Sequence, residues 1–220
     1  MAQRNFWENR YDFFGSGTFT ATAADNAPLL IKDSSAAGTP TYAYVDGSSS
    51  GELALDFSNT SEIQIVTLYQ GNILQYDIDK IREVEFLLKM NQATLDSTTS
   101  MVVGVAGDQN DAHDSVAQNC WFRLIGSNAL VVETDDGTTD TDDVATGQTL
   151  SNSYKTLLIN FAAGTNDIRF YVDGTPVATS TTFDMSAYTG SLQLFVQIQK
   201  TADTNTDGVT FDSIAIRGIR

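Results

Sequence analysis

The sequence has 220 residues, with 12 Lys or Arg against 28 Asp or Glu, which gives a formal net charge of -16. This length fits a single all-β domain with a sizeable core. The negative charge repels phosphate backbones and anionic lipid, so nucleic acid and membrane surfaces are not expected as partners. Cys120 is the only cysteine, which excludes a disulfide within the chain.

Residues 1–20 combine aromatic and charged side chains and allow two interpretations. They form either a first strand packed on the protein's own sandwich or a short N-terminal arm that docks on a neighbouring subunit. The second interpretation rests on the frequency of aromatic residues and Arg among interface anchors. This segment lacks the apolar run of a signal peptide, so we expect synthesis in the cytoplasm. The candidate partner-binding residues are Phe6, Trp7, Arg10, Tyr11, Phe13 and Phe14.

Residues 21–220 are predicted to form one β-sandwich domain. Short alternating or apolar runs are separated by clusters of Gly, Asn, Asp, Ser and Thr, a spacing typical of sandwiches. Asp-Gly pairs such as Asp173-Gly174 mark turns. The predicted strands are Leu29–Lys32, Thr41–Val45, Glu52–Phe57, Ile63–Tyr69, Val84–Met90, Met101–Val105, Cys120–Ile125, Leu130–Thr134, Tyr154–Phe161, Ile168–Val172, Leu192–Gln199 and Val209–Ile216.

One segment, Asp77–Met90, carries apolar residues near helical spacing in its first half and strict alternation in its second half. Alternation has a period of two, which only a strand satisfies. We therefore predict a brief turn followed by a strand.

The second faces of the predicted strands carry polar residues with embedded aromatic rings. In Leu192–Gln199 the residues at even positions suit the core, and those at odd positions face away from it. If these strands share a sheet, its outer face could stack a sugar ring or contact another protein, although it could equally be an ordinary solvated face. The candidate carbohydrate-binding residues are Arg169, Tyr171, Gln193, Phe195 and Gln197.

The hairpin Tyr154–Gly174 and the closing strand Val209–Ile216 resemble the concanavalin A-like lectin/glucanase superfamily, including laminin-G-like modules. Met101–Val105, an Asp-rich loop and Trp121–Leu124 follow the order of that superfamily's middle strands. The resemblance implies a jelly-roll sandwich of two antiparallel sheets. It covers residues 28–220 and characterises a fold rather than an activity.

Within that superfamily, the abundance of Thr, Ser, Ala, Asp and Gly resembles modules of tailed-phage virions. This resemblance implies a non-enzymatic virion structural protein, a capsid decoration or cement subunit. Its partners would be the major capsid protein or another virion protein, and it would form a homo-oligomer, since symmetric shells repeat their docking sites. The alternative is a carbohydrate-binding adhesin with a glycan as its partner, and the third is a glycanase.

Catalytic residues are not predicted. Glycoside hydrolysis needs two carboxyl groups, and Glu83 and Glu85 are the best pair available. The segment Arg82–Phe86 lacks the Glu-x-Asp-x-Glu pattern of the superfamily's glucanases, so their catalytic roles do not carry over. A Cys-His nucleophile would need both His113 and Cys120, and Cys120 lies in an apolar run.

The sequence predicts no cofactor, and calcium is the one alternative that it suggests. Asp203, Asn205 and Asp207 alternate before Gly208, which is the opening of an oxygen-rich calcium loop. The pattern then fails, because Ile214 stands where a helix-loop-helix site has its bidentate Glu. Two further oxygen-rich segments, 108–114 and 133–143, are also predicted as loops, and Asx-rich turns form without metal. The calcium ligands to test are Asp203, Asn205 and Asp207.

Overall fold

The computed structural model describes residues 6–19 and 28–220. In these ranges the only helical element is a 3-10 turn at His113–Ser115, and no helix has the length and apolar character needed to cross a membrane. The remaining elements are sixteen β-strands. They are β1 Phe6–Asp12, β2 Leu30–Asp33, β3 Thr41–Tyr44, β4 Leu53–Asp56, β5 Glu62–Tyr69, β6 Tyr76–Asp77, β7 Ile81–Met90, β8 Thr99–Ala106, β9 Asn119–Ile125, β10 Ala129–Asp135, β11 Asp140–Thr149, β12 Lys155–Asn160, β13 Arg169–Val172, β14 Thr175–Val177, β15 Ser191–Asp203 and β16 Gly208–Ile219.

The strands form two eight-stranded antiparallel sheets that stack as a jelly-roll sandwich. Sheet A has the order β14-β13-β12-β7-β16-β4-β3, with β1 also paired to β16. Sheet B has the order β11-β10-β9-β8-β15-β5-β2, with β6 paired to β15. The predicted fold class is therefore confirmed.

The core lies between the sheets and is built by period-two burial. Alternate residues of each strand point into the interior, and they form one continuous apolar cluster. Six residues, five from β12, β13 and β15 and one directly after β12, illustrate this alternation, and none is more than 1% exposed: Leu157, Ile159, Phe161, Phe170, Leu194 and Val196.

The aromatic N-terminal segment forms β1, which pairs with β16 from Phe6↔Ile219 to Asp12↔Ser213. Trp7 stacks on Tyr76 with ring centroids 5.4 Å apart, and Phe13 is buried in the core. The described part of this segment thus corresponds to the first interpretation, a strand of the protein's own sandwich. Residues 1–5 and 20–27 lie outside the described residues, so the boundary at residue 20 does too.

Several segments differ from the sequence-based expectation. Strands β6 and β14 and most of β11 were not predicted. The stretch 133–143 is a hairpin rather than a loop, because Glu133–Asp135 belong to β10 and Asp140 opens β11. Strand β7 begins at Ile81, three residues before the predicted start, since Ile81 already pairs with Gly218 of β16. The predicted turn before that strand is confirmed at residues 78–80.

Candidate functional site

A groove of about 410 Å³ opens at the edge of sheet A, between β13, β14 and the segment 178–183. We call it the β13–β14 groove. It contains two of the predicted carbohydrate-binding residues, Arg169 and Tyr171. Exposed or half-buried threonine side chains complete its polar lining: Thr179, Thr181 and Thr182.

Local turn chemistry shapes the walls of this groove. Asp173 and Gly174 both have positive φ, 50° and 75°, which fits the tight two-residue turn that joins β13 to β14. Ala178 also has a positive φ of 53°, an uncommon conformation for a residue with a Cβ. After it the chain folds back, and Ile168 donates its N–H to the Phe183 carbonyl oxygen at 3.0 Å. The segment 178–183 therefore returns to β13 and closes one side of the groove.

The polar centre of the groove is a two-point ion pair. Arg169 donates from Nη2 to Asp167 Oδ2 at 2.6 Å and from Nε to Asp167 Oδ1 at 3.3 Å. The hydrogen bond from Arg169 lowers the pKa of the Asp167 carboxyl. Tyr171 lies two residues along β13 on the same face and is half-buried opposite Pro176 of β14. Sequence reasoning missed Asp167, although an acidic residue two positions before Arg169 and directly before the predicted strand was a usable signal.

This arrangement is suited to binding a polyhydroxylated ligand. An aromatic ring supplies a flat apolar surface, while the guanidinium, the carboxylate and the hydroxyls supply hydrogen-bond donors and acceptors beside it. A few polar groups that converge on a partly apolar cleft are typical of ligand sites. The groove has a single carboxylate, Asp167, and that group is already ion-paired.

The other three predicted carbohydrate-binding residues do not belong to this groove, and the prediction of one shared surface is wrong. β13 lies in sheet A, whereas β15 lies in sheet B. Gln193, Phe195 and Gln197 do point away from the core, but each is 0% exposed. A ligand cannot reach them in this fold.

Residues 107–118, which we call the covering loop, bury that face of sheet B. Gln193 donates to the Gly107 carbonyl oxygen at 2.7 Å, and Gln197 donates to that of Asn110 at 2.9 Å. Val116 packs against Trp121 and Phe195 in a second apolar cluster, separate from the main core. The glutamines are thus structural, because they satisfy loop carbonyls that would otherwise be buried without donors.

The three candidate calcium ligands all accept hydrogen bonds from backbone N–H groups of the protein. Asp203 and Asn205 use their side-chain oxygens to accept from backbone N–H groups within the loop, and Asp207 accepts from the N–H of Asp96 at 2.7 Å. The cation at this loop is the Lys200 ammonium, which donates to the carbonyl oxygen of Asn205 at 2.9 Å. Across residues 6–19 and 28–220, no three His, Cys, Asp or Glu side chains are arranged to hold a metal ion.

Glu83 and Glu85 lie on the outer face of sheet A and share one cation. Each places a carboxylate oxygen 3.4 Å from Arg217 Nη1, and Glu8 accepts from Arg217 Nε at 2.9 Å. The pair is therefore part of a surface ion cluster. Asn160 also lies within 3.5 Å of Glu83.

His113 and Cys120 lie on opposite faces of sheet B. Cys120 points into the core, where burial raises the pKa of its thiol well above the usual value. His113 belongs to the covering loop, and its pKa is lowered, first by burial and second by Arg123. The sheet therefore separates the imidazole from the thiol.

Comparisons with known proteins identify the fold of this protein but not a family. No protein-family model matches the sequence, and no curated protein matches it. Among solved structures, SCLam, a non-specific endo-beta-1,3(4)-glucanase from family GH16, aligns with a TM-score of 0.66 at 10% identity over 98% of this chain and 92% of its own. Protein SO2946 of unknown function from Shewanella oneidensis MR-1 gives 0.62 at 10% identity, covering 100% and 89%.

A lectin domain is similar as well. The carbohydrate recognition domain of Emp47p aligns with a TM-score of 0.57 at 9% identity, over 88% of this chain and 89% of that domain. The fold is a concanavalin A-like jelly roll. At these identities the likeness concerns the fold alone, and function has to be argued from the site.

Proposed function

We propose that this protein binds carbohydrate through the β13–β14 groove and does not catalyse a reaction. The observation that carries the proposal is the placement of Tyr171 beside the two-point Arg169–Asp167 pair in an open groove. Solved structures with this fold include a carbohydrate recognition domain and a glucanase, which adds support for a glycan as the ligand.

Binding rather than hydrolysis is favoured by the distribution of carboxyl groups. Both mechanisms of glycoside hydrolysis need two carboxyl groups on either side of the scissile bond. The groove offers only Asp167, which Arg169 holds at 2.6 Å. The pair Glu83 and Glu85 lies outside the groove and shares Arg217.

The proposal replaces a capsid decoration role with the carbohydrate-binding alternative. None of the three neighbours described above is named as a virion protein. Of the aromatic residues assigned to a docking arm, Phe6, Trp7 and Tyr11 belong to β1 of sheet A, and Phe13 and Phe14 follow it. Phe6 and Phe14 are 57% and 70% exposed. A virion location and a homo-oligomer therefore stay predictions that the groove neither needs nor supports.

The test is a glycan array followed by titration calorimetry with the best ligand. We expect Tyr171→Ala to weaken binding by about tenfold or more, because loss of ring contacts worth about 1.4 kcal/mol changes a dissociation constant tenfold. Tyr171→Phe keeps the ring and should retain most of the affinity. Arg169→Ala should weaken binding as well, since it removes the donors of the ion pair.

The matched control is Phe14→Ala, which removes an exposed aromatic ring outside the groove, shortly after β1. It should leave glycan binding unchanged. The absence of any array signal from the folded protein, or equal losses in the Phe14 and Tyr171 variants, would contradict the proposal. Release of reducing sugar from a bound glucan would contradict its non-enzymatic part.

A further inference from the structure

A second cavity, of about 290 Å³, opens on the outer face of sheet B next to the covering loop. We call it the acidic pocket. Its lining has six carboxylate side chains, the Arg123 guanidinium and the Asn119 amide. With one cation against six acids, the pocket is strongly negative within a protein that already carries a net charge of -16.

Arg123 accounts for half of these carboxylates. Its Nη2 lies 2.6 Å from Asp114 Oδ1, and its Nη1 lies 3.0 Å from Glu133 Oε2 and 3.6 Å from Asp143 Oδ1. Arg123 and Glu133 are almost fully buried. The pocket thus already holds one organic cation, supplied by the chain itself.

The other three carboxylates have no such partner. Among the described residues, Asp135, Asp140 and Asp142 are within ion-pair distance of no Lys, Arg or His side chain. The pKa of Asp140 is raised, first by burial and second by electrostatic repulsion from Asp142 and Asp135. The three carboxylates therefore repel one another. A bound cation would relieve that repulsion.

Asn119 supplies an independent indication of a ligand. Its side chain lines the pocket and is only 2% exposed, yet its Oδ1 has no hydrogen-bond partner in the described part of the chain. Buried acceptors are satisfied in nearly all proteins, and each exception calls for an explanation. A ligand that donates hydrogen bonds would satisfy this oxygen.

The chemistry of the pocket selects among ligands. Anions are repelled, and the described residues hold no cluster arranged as a metal site. An ammonium group carries one positive charge and three N–H donors, which matches unpaired carboxylates beside an unsatisfied amide oxygen. We propose that the acidic pocket binds a protonated primary amine, carried either by an amino sugar or by a free polyamine. This proposal does not depend on the β13–β14 groove.

The test is titration calorimetry at low salt and mildly acidic pH, with four probes. They are a short glucosamine oligomer, its fully N-acetylated form, spermidine and calcium chloride. The wild-type protein should bind at least one amine and should bind the acetylated oligomer at least tenfold more weakly. The amine that binds more tightly identifies the source of the ligand.

Two sets of variants separate a specific pocket from general attraction to a negative protein. Asp140→Asn with Asp142→Asn should weaken amine binding about tenfold. Asp46→Asn with Asp79→Asn makes the same change in net charge at exposed sites elsewhere and should have little effect. Asn119→Leu removes the unsatisfied oxygen and should also weaken binding, while circular dichroism checks that the variant is folded.

The proposal is overturned if the wild-type protein binds neither amine, binds the acetylated oligomer equally well, or prefers calcium. Equal losses in the two double variants would also overturn it, because they would indicate diffuse attraction. Tyr171→Ala leaves the acidic pocket intact, so it should not change spermidine binding. A result that contradicts glycan binding in the groove is thus distinguishable from one that contradicts amine binding in the pocket.

Discussion

Lys200 is a buried cation whose hydrogen bonds join two loops. It is 1% exposed, and its ammonium donates to the carbonyl oxygens of Ser58, Thr60 and Asn205 at 2.7, 3.0 and 2.9 Å. Burial lowers its pKa, while Asp203 and Asp207 oppose that shift. The loop that resembles a calcium site is thereby tied to the segment 58–60 by a covalently attached cation.

We expect Lys200→Met to lower the free energy of unfolding by about 2 kcal/mol or more. Hydrogen bonds to a charged group contribute about 1.5–3 kcal/mol, and the variant removes the charged donor from three buried or half-buried carbonyls. Urea unfolding at neutral pH measures the change. Lys80→Met, at an exposed position, is the control and should stay within about 0.5 kcal/mol of wild type. A Lys200 variant as stable as this control would show that the loop keeps its conformation without the Lys200 hydrogen bonds.

At the scale of elements, the covering loop decides what sheet B can do. It covers β15 through hydrogen bonds from glutamine side chains to loop carbonyls and through a small apolar cluster, in which the Trp121 and Phe195 ring centroids lie 5.9 Å apart. Gln70 and Gln193 extend this network, since Gln193 Oε1 accepts from the backbone N–H groups of Gln70 and Asn72. The outer face of β15 therefore forms part of a second, smaller core between sheet B and the covering loop.

The test of this interpretation is Phe195→Ala. It should lower the free energy of unfolding by about 3–5 kcal/mol, the usual loss for a buried Phe. Glycan binding by the folded fraction should be unchanged, because Phe195 lies in the other sheet from the β13–β14 groove. Thermal unfolding and array binding, measured on the same sample, separate the two effects. A stable Phe195→Ala variant that no longer binds glycan would contradict this interpretation and indicate that Phe195 contacts the ligand.

At the scale of the whole molecule, stacking two sheets leaves the two proposed sites on different sheets. The β13–β14 groove lies at an edge of sheet A, and the acidic pocket lies on the outer face of sheet B. The groove presents the ion-paired Arg169 and neutral side chains, whereas the pocket has unpaired carboxylates. One chain can thus present two surfaces of different chemistry.

Net charge acts on the whole fold. A charge of -16 opposes compaction by self-repulsion, and salt screens repulsion between exposed charges over about 10 Å at 0.1 M. We expect the midpoint of thermal unfolding to rise when sodium chloride is increased from low to physiological concentration. A neutral osmolyte, added to the same osmolality as the sodium chloride, provides the control. A midpoint that falls with salt would show that attractive ion pairs, such as those of Arg123 and Arg217, outweigh the repulsion.

Much of the architecture followed from the sequence, because burial with a period of two is a local property of each strand. Leu157 and Ile159 could be assigned to the core from alternation alone, and Asp173-Gly174 could be assigned to a turn from its backbone preferences. Arg169 and Tyr171 could be placed on an outer face by the same alternation. These inferences needed only neighbours along the chain.

Other features depended on contacts between residues far apart in sequence. Alternation shows that Gln193 and Phe195 face away from the core, but only the fold shows that a loop 86 residues earlier covers them. Lys200 became the cation of its loop through carbonyls about 140 residues away, and the acidic pocket arose where β9, β10, β11 and the covering loop meet. The sequence by itself determined which side chains share a face of a strand. Only the tertiary structure decided which faces remain open to a ligand, because exposure depends on whatever distant segment packs on top.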